Sequence, residues 1–296
     1  MGLSTEATVL LAGTGRSGTT WVGDVINHHN DFRVLFEPFH SRLVRVWQPF
    51  HYRQYLRPGT VYPQLEEAVE NILSGRVRSP WSDRFNRRIL ARRRLVKEIR
   101  INLMLGWIRE RYPDLPIILL VRHPGAVAMS KLQLGWKTIL DELLAQPDLV
   151  EEHLLPQRSL LESVQNDFGR HIALWCVETL VPLRQLKPGD FHLVFYEHLV
   201  TQPKNTVPLL LRYAGIDDQG FDYSKLGHPS AMAQKSSAIK TGRDVLGSWH
   251  RNVDVADLEQ MHEILCAFGL QNLYDRNYYP ASEPGTAAVR PCVGVK

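Results

Sequence analysis

The chain alternates two kinds of apolar pattern. Short strand-like runs occur at Thr8–Ala12, Arg33–Phe36, Leu95–Ile99, Ile117–Val121 and His192–Tyr196. Two of them, "PIILLVR" and "FHLVFYE", are almost continuously apolar, as strands covered on both faces must be. Between them lie stretches of helical spacing: "TTWVGDVINHH", "HPGAVAMSKLQL" with proline in its first turn, Ser159 to Leu186, and Asp257–Phe268 ahead of Gly269. Such alternation predicts an α/β fold of three layers, α/β/α, around a central parallel sheet.

Two stretches break the rhythm. Residues 38–90 mix aromatic side chains (Trp47, Phe50, Tyr52, Tyr55, Tyr62, Trp81) with many arginines, and residues 134–161 are leucine-rich and interrupted by prolines. Neither carries a strand set of its own, so both are expected to be excursions from a single domain spanning 1–296. The Pro/Gly/Ala-rich tail, 281–296, is expected to fray. In "RFNRRILARRRLVKEIR" the arginines interleave with Phe85, Ile89, Leu90 and Leu95, which predicts a solvated helix face rather than a nucleic-acid site.

Composition changes this picture little. The 296 residues are 44% hydrophobic and 22% charged, an ordinary globular balance. A net charge of +4 and a pI of about 9.0 suit an anionic substrate as well as nucleic acid. Three cysteines (Cys176, Cys266, Cys292) offer no disulfide framework, and His28 and His29 lack nearby soft ligands, so no metal site is expected. No apolar run approaches the ~20 residues of a membrane span. The first one, Val9–Ala12, ends at a glycine without a basic leader. The expectation is a soluble, reduced, cytoplasmic protein.

The chemistry concentrates in "AGTGRSGTTWV", residues 12–22. Its glycines are spaced as in the phosphate-binding P-loop G-x-x-x-x-G-K-[ST]. Gly13 and Gly18 fill the glycine positions and Thr20 the hydroxyl position, but Thr19 stands in place of the lysine. A strand–loop–helix of this form aims backbone N–H groups, together with the positive end of the helix, at one anion. Transfer of a γ-phosphoryl group also needs the lysine and an aspartate at a strand end for Mg²⁺. Here both are missing, and only Glu197 could stand in for the aspartate. Arg16 is the loop's single cation. A sulfuryl group, which bears one negative charge, needs less neutralisation and suits such a loop.

At this point the residues resemble a family. "RSGTTW" is similar to the 5′-phosphosulfate loop of sulfotransferases that use 3′-phosphoadenosine 5′-phosphosulfate (PAPS). "LLVRHPGAVAMSKL" resembles their 3′-phosphate strand–loop–helix. "LVFYEHLVTQP" resembles their YED-L…P segment, with His198 at the acidic position, and "GSWHRNV" resembles their G-x-W segment. The resemblance implies that Gly15, Arg16, Ser17, Gly18, Thr19 and Thr20 hold the phosphosulfate. It implies that Trp21 and Tyr196 approach the adenine and that Arg122 and Ser130 bind the 3′-phosphate. Cytosolic members add an Arg-Lys-Gly triplet. This chain has "IKTGRDVLGSW" instead, which offers Lys240 and Arg243 in altered order. Those members also carry a histidine base soon after a lysine; here Lys97 is present in "VKEIR" but Ile99 occupies the histidine's neighbourhood. "VLFEPFH" resembles the EP segment of Golgi carbohydrate sulfotransferases, which makes Glu37 the expected base and His40 the runner-up. Arg16, with Lys97 as its helper, is expected to neutralise the charge that grows on the transferred group and the bridging oxygen.

The expected reaction is in-line transfer of a sulfuryl group from PAPS, without metal, to an acceptor hydroxyl. The acceptor is expected over 38–90 and 134–161. Carbohydrate is preferred to phenol or lipid, and no nucleic-acid partner is expected. The rival readings are a P-loop kinase and a non-enzymatic nucleotide- or nucleic-acid-binding protein that uses the arginine run.

Overall fold

The computed structural model describes residues 5–86, 91–229, 231–232, 244–275 and 277–282. Five strands form one sheet: β1 (Thr8–Gly13), β2 (Phe32–Phe36), β3 (Arg93–Glu98), β4 (Ile117–Val121) and β5 (His192–Phe195). Their order is β2-β3-β1-β4-β5, and every pairing is parallel. The sheet is therefore the one expected, and β1, which feeds the glycine-rich loop, is its central strand.

Alternate residues of each strand face opposite layers, as the two-residue period of a strand requires. Val9 and Leu11 of β1 join Ile118 and Leu120 of β4 in a core shared with α1 (Thr19–Ile26) and the Pro203–Tyr213 helix. Leu10 and Ala12 join Ile117 and Leu119 in the opposite core, beneath α2 (Pro63–Leu73), α3 (Leu105–Arg111), α4 (Pro124–Leu132) and the helices Asp167–Gln185 and Val255–Ala267. No helix among the described residues is long and apolar enough to cross a membrane.

Two expectations are corrected. The pattern from Ser159 to Leu186 is two helices, Arg158–Ser163 and Asp167–Gln185. Val164 is extended, and the Asn166 side chain accepts a hydrogen bond from Gly169 N, so a new N-cap starts where the spacing suggested continuity. The arginine run is not a solvated helix face over its described part. Arg93 and Arg94 open β3. Arg94 is buried and donates to Thr8 Oγ1 and the Leu73 carbonyl, while Arg93 donates to the Ala214 carbonyl and lies over the Phe32 ring. Residues 87–90 lie outside the described residues.

Candidate active site

In an open parallel sheet, ligands collect beyond the carboxyl ends of the strands. Every strand here delivers a polar side chain to that edge. Arg16 follows β1, Glu37 follows β2, Lys97 and Arg100 come from the end of β3, Arg122 follows β4 and Tyr196 follows β5. All six line one cavity of about 550 Å³.

The loop after β1 and the start of α1 form one wall of this cavity. Gly18 caps α1 with a left-handed backbone, φ 99°, and no side chain caps the helix. The first N–H groups of α1 are thus left for a ligand. Thr19 and Thr20 line the cavity. Ser17 does not: its buried hydroxyl and its backbone N–H both donate to the Thr14 carbonyl, so both of its donors are already engaged. Gly15 packs against the Trp136 ring. At Gly18 a Cβ would stand 2.7 Å from the Tyr196 ring, so only glycine lets the loop pass there.

Two guanidiniums converge beside this wall. Arg16 Nε donates to Ser130 Oγ at 3.0 Å, which joins α4 to the loop. Arg122 lies over the Tyr196 ring, 4.4 Å from its centroid, and donates to the Arg16 and Val245 carbonyls. Its buried Nε has no hydrogen-bond partner. Burial and the like charge of Arg122 pull the Arg16 guanidinium below its ordinary range, against the pull of Glu37. An anion between the two arginines and Ser130 would relieve both effects. Trp21 is buried edge-on to Tyr196, with ring centroids 5.4 Å apart, and both rings face the cavity.

The opposite wall is a buried ion network. Glu37 Oε1 accepts from Lys97 Nζ at 2.6 Å and its Oε2 from Arg100 Nη1 at 2.8 Å. Arg100 also reaches Glu98, whose second oxygen accepts from Phe39 N at 2.8 Å. That bond and Glu37 N to the Lys97 carbonyl, 2.8 Å, fasten the loop after β2 to β3. Burial pushes the Glu37 carboxyl up, but Lys97 and Arg100 outweigh it and hold it below the ordinary carboxylate range. His40 lies on the same wall. Burial, with Arg100 beside it, lowers its pKa to about 4, so it is neutral at pH 7.

The two excursions close the cavity. His40, Tyr52, Arg53 and Trp81 come from the first, and Trp136, Lys137 and Ile139 from the second. Of the other aromatics of the first, Phe39, Trp47, Phe50 and Tyr55 are core, whereas Tyr62 and Phe85 are only partly buried. Among the described residues, five that are not glycine have left-handed backbone, and three of these (Arg16, φ 76°; Glu37, φ 47°; Arg53, φ 58°) line this cavity.

The other expected residues divide. Lys240 and Arg243 lie outside the described residues. Glu197, the only stand-in for a metal-holding aspartate, is buried away from the cavity; its carboxylate accepts from His123 N and the Tyr274 hydroxyl, and burial raises it to about 7. Trp249 of "GSWHRNV" stacks on His123 and packs against Gly125 at the start of α4. Arg100, Arg53, Lys131 and Trp136 were not singled out from the sequence. Arg100 was within reach, three residues beyond Lys97 in "VKEIR"; the other three carry no local signal.

Residues 8–220 match the profile described as "Sulfotransferase family". The chain belongs to that family, whose reaction is sulfuryl transfer. No curated protein matches the sequence significantly. Among solved structures it is similar to the mouse sulfotransferase SULT7A1 complexed with PAP: 13% identity, 89% of this chain, 84% of that chain, TM-score 0.45. It is also similar to retinol dehydratase in complex with androsterone and inactive cofactor PAP (13%, 92% and 83%, 0.47). A third is the sulfotransferase domain from the curacin biosynthetic pathway (17%, 87% and 95%, 0.43).

Proposed function

We propose that the protein transfers the sulfuryl group of PAPS to an acceptor hydroxyl, a carbohydrate before a phenol or a lipid. One observation carries the reading: the glycine-rich loop after β1, Arg122 after β4 and the Glu37 carboxylate after β2 line a single cavity. The residues fit the co-substrate. Gly18 leaves room against Tyr196 where a Cβ would not, and Arg122 keeps a buried N–H unpartnered.

In this reading the α1 N-terminus, Thr19 and Thr20 hold the phosphosulfate. Arg122 and Ser130 take the 3′-phosphate, and Trp21 with Tyr196 flanks the adenine. PAPS supplies a singly charged group on a phosphate-ester leaving group. Glu37 receives the acceptor's proton as the hydroxyl oxygen bonds to sulfur. Arg16 meets the charge that grows on the bridging oxygen as the sulfur–oxygen bond breaks, a stabilisation felt more in the transition state than in the ground state. Lys97 is committed to Glu37, so it serves as a positioning residue rather than a second cation on the transferred group.

Thermal unfolding tests the reading. Without Mg²⁺, 3′,5′-ADP at 100 times its dissociation constant should stabilise the fold by ~2.7 kcal/mol. Stabilisation by 5′-AMP should be clearly smaller, and Arg122→Ala should erase that difference. Equal responses to the two nucleotides in the wild type refute the 3′-phosphate site. Stabilisation confined to ATP·Mg²⁺ or to a DNA oligomer would favour one of the rival classes.

A further inference from the structure

Along the same cavity lies a second buried charge cluster that takes no part in the steps above. Lys131 of α4 is 1% exposed, and its ammonium has no hydrogen-bond partner. Its nearest anion is Glu178 Oε2, at 3.9 Å, beyond hydrogen-bonding reach. That oxygen is itself unpartnered, because the other Glu178 oxygen is engaged by Arg53. His171 completes the group. Its Nε2 faces the Trp136 carbonyl at 3.0 Å and must donate to it, which leaves Nδ1 as an unpartnered lone pair.

Lys131, Arg53 and His171 all line the cavity. The cluster is also tied to the proposed reaction centre. The Tyr52 ring lies 5.1 Å from the Arg53 guanidinium and 4.9 Å from that of Arg100, so one ring separates this cluster from the Glu37 network. On the loop side, Trp136 packs its ring on Gly15, gives its carbonyl to His171 and donates its N–H to the Lys131 carbonyl.

The formal charges here are two cations against one carboxylate, with a neutral histidine whose pKa burial lowers to about 4. A structural ion pair would close the gap between Lys131 and Glu178. An ammonium held open beside a cavity, with one net positive charge around it, is balanced by one further negative charge. A neutral hydroxyl would leave that charge uncompensated in a buried place. We infer that this part of the cavity is an acceptor subsite in which Lys131, backed by Arg53, binds an anionic group, a carboxylate or a sulfate ester, of the molecule whose hydroxyl is sulfated. Burial weakens the hold of Lys131 on its proton and lowers its pKa to about 8, which still leaves it charged at pH 7.

The inference rests on the PAPS reading for its account of the rest of the cavity, and the test separates the two. With 3′,5′-ADP saturating the nucleotide site, calorimetry would measure binding of p-nitrophenyl β-D-glucuronide against the matching glucoside, and of glucose 6-sulfate against glucose. At least one anionic probe should bind on the order of tenfold more tightly than its neutral partner, as a charge-assisted contact implies. Lys131→Met and Lys131→Gln should each erase that preference while 3′,5′-ADP binds as in the wild type. No preference in the wild type for either pair overturns the inference without any variant. A preference that survives in a folded variant, or a variant that loses 3′,5′-ADP instead, overturns it as well. Failure of 3′,5′-ADP to bind the wild type counts against the PAPS reading alone.

Discussion

In the proposed reaction Glu37 takes a proton, while Lys97 and Arg100 hold it ionised. The pairing keeps the carboxylate unprotonated at neutral pH at some cost in basicity, since a lower pKa makes a weaker base. Glu37→Gln keeps the shape and removes the charge. Turnover should fall by ~10²–10⁴ if Glu37 is the base, with 3′,5′-ADP binding retained. The substitution also leaves Lys97 and Arg100 with only Glu98 as a nearby carboxylate, and breaking a buried pair costs about 3–5 kcal/mol. Turnover must therefore be measured well below the variant's melting temperature. His40→Ala is the necessary companion, because His40 is also unprotonated at pH 7 and shares the wall. Loss of turnover in His40→Ala alone would transfer the role to it.

Among the elements, α1 matters most for its first turn. Its N-cap is a glycine with φ 99° and no capping side chain, so among the described residues no cap competes with an anion for the orphan N–H groups. Gly18→Ala would force a left-handed alanine, at ~1–2 kcal/mol, and press a methyl group into Tyr196. The variant should melt earlier and lose most of its stabilisation by 3′,5′-ADP. An unchanged response to the nucleotide in thermal unfolding would show that the loop does not cradle it. The strands were readable because burial on both faces leaves an unbroken apolar run, most plainly in Ile117–Val121. The helix break at Val164–Asn166 was not, since the apolar spacing continues across it and only the Asn166 cap ends it. Arg93 and Arg94 misled for a related reason: a guanidinium on a long stem can leave a buried strand position and still find a carbonyl.

On the scale of the molecule, the candidate site was legible where its parts are local. Arg16, Thr19 and Thr20 announce themselves through a glycine spacing, and Glu37, Arg122 and Tyr196 through strand ends. Arg53 and Glu178 stand 125 positions apart in the chain, and neither has a neighbour that betrays the other. Only the fold gives Lys131 its cavity. The three left-handed residues around that cavity have a consequence for the protein's durability under selection. Each holds a conformation that an L-residue adopts at a cost and glycine adopts freely. At Glu37 and Arg53, glycine would strip a buried ion of its partner, so the gain would be cancelled. Arg16 has no buried carboxylate depending on it; its side chain bonds only Ser130 among described partners. Arg16→Gly should therefore be more stable than Arg16→Ala by ~1 kcal/mol in denaturant unfolding, and both should be nearly inactive. Equal stability would show that the left-handed backbone at Arg16 carries no strain. A laboratory population of this gene selected only for survival of heat would be expected to abandon Arg16 early, gaining toughness by discarding the cation that the proposed reaction needs.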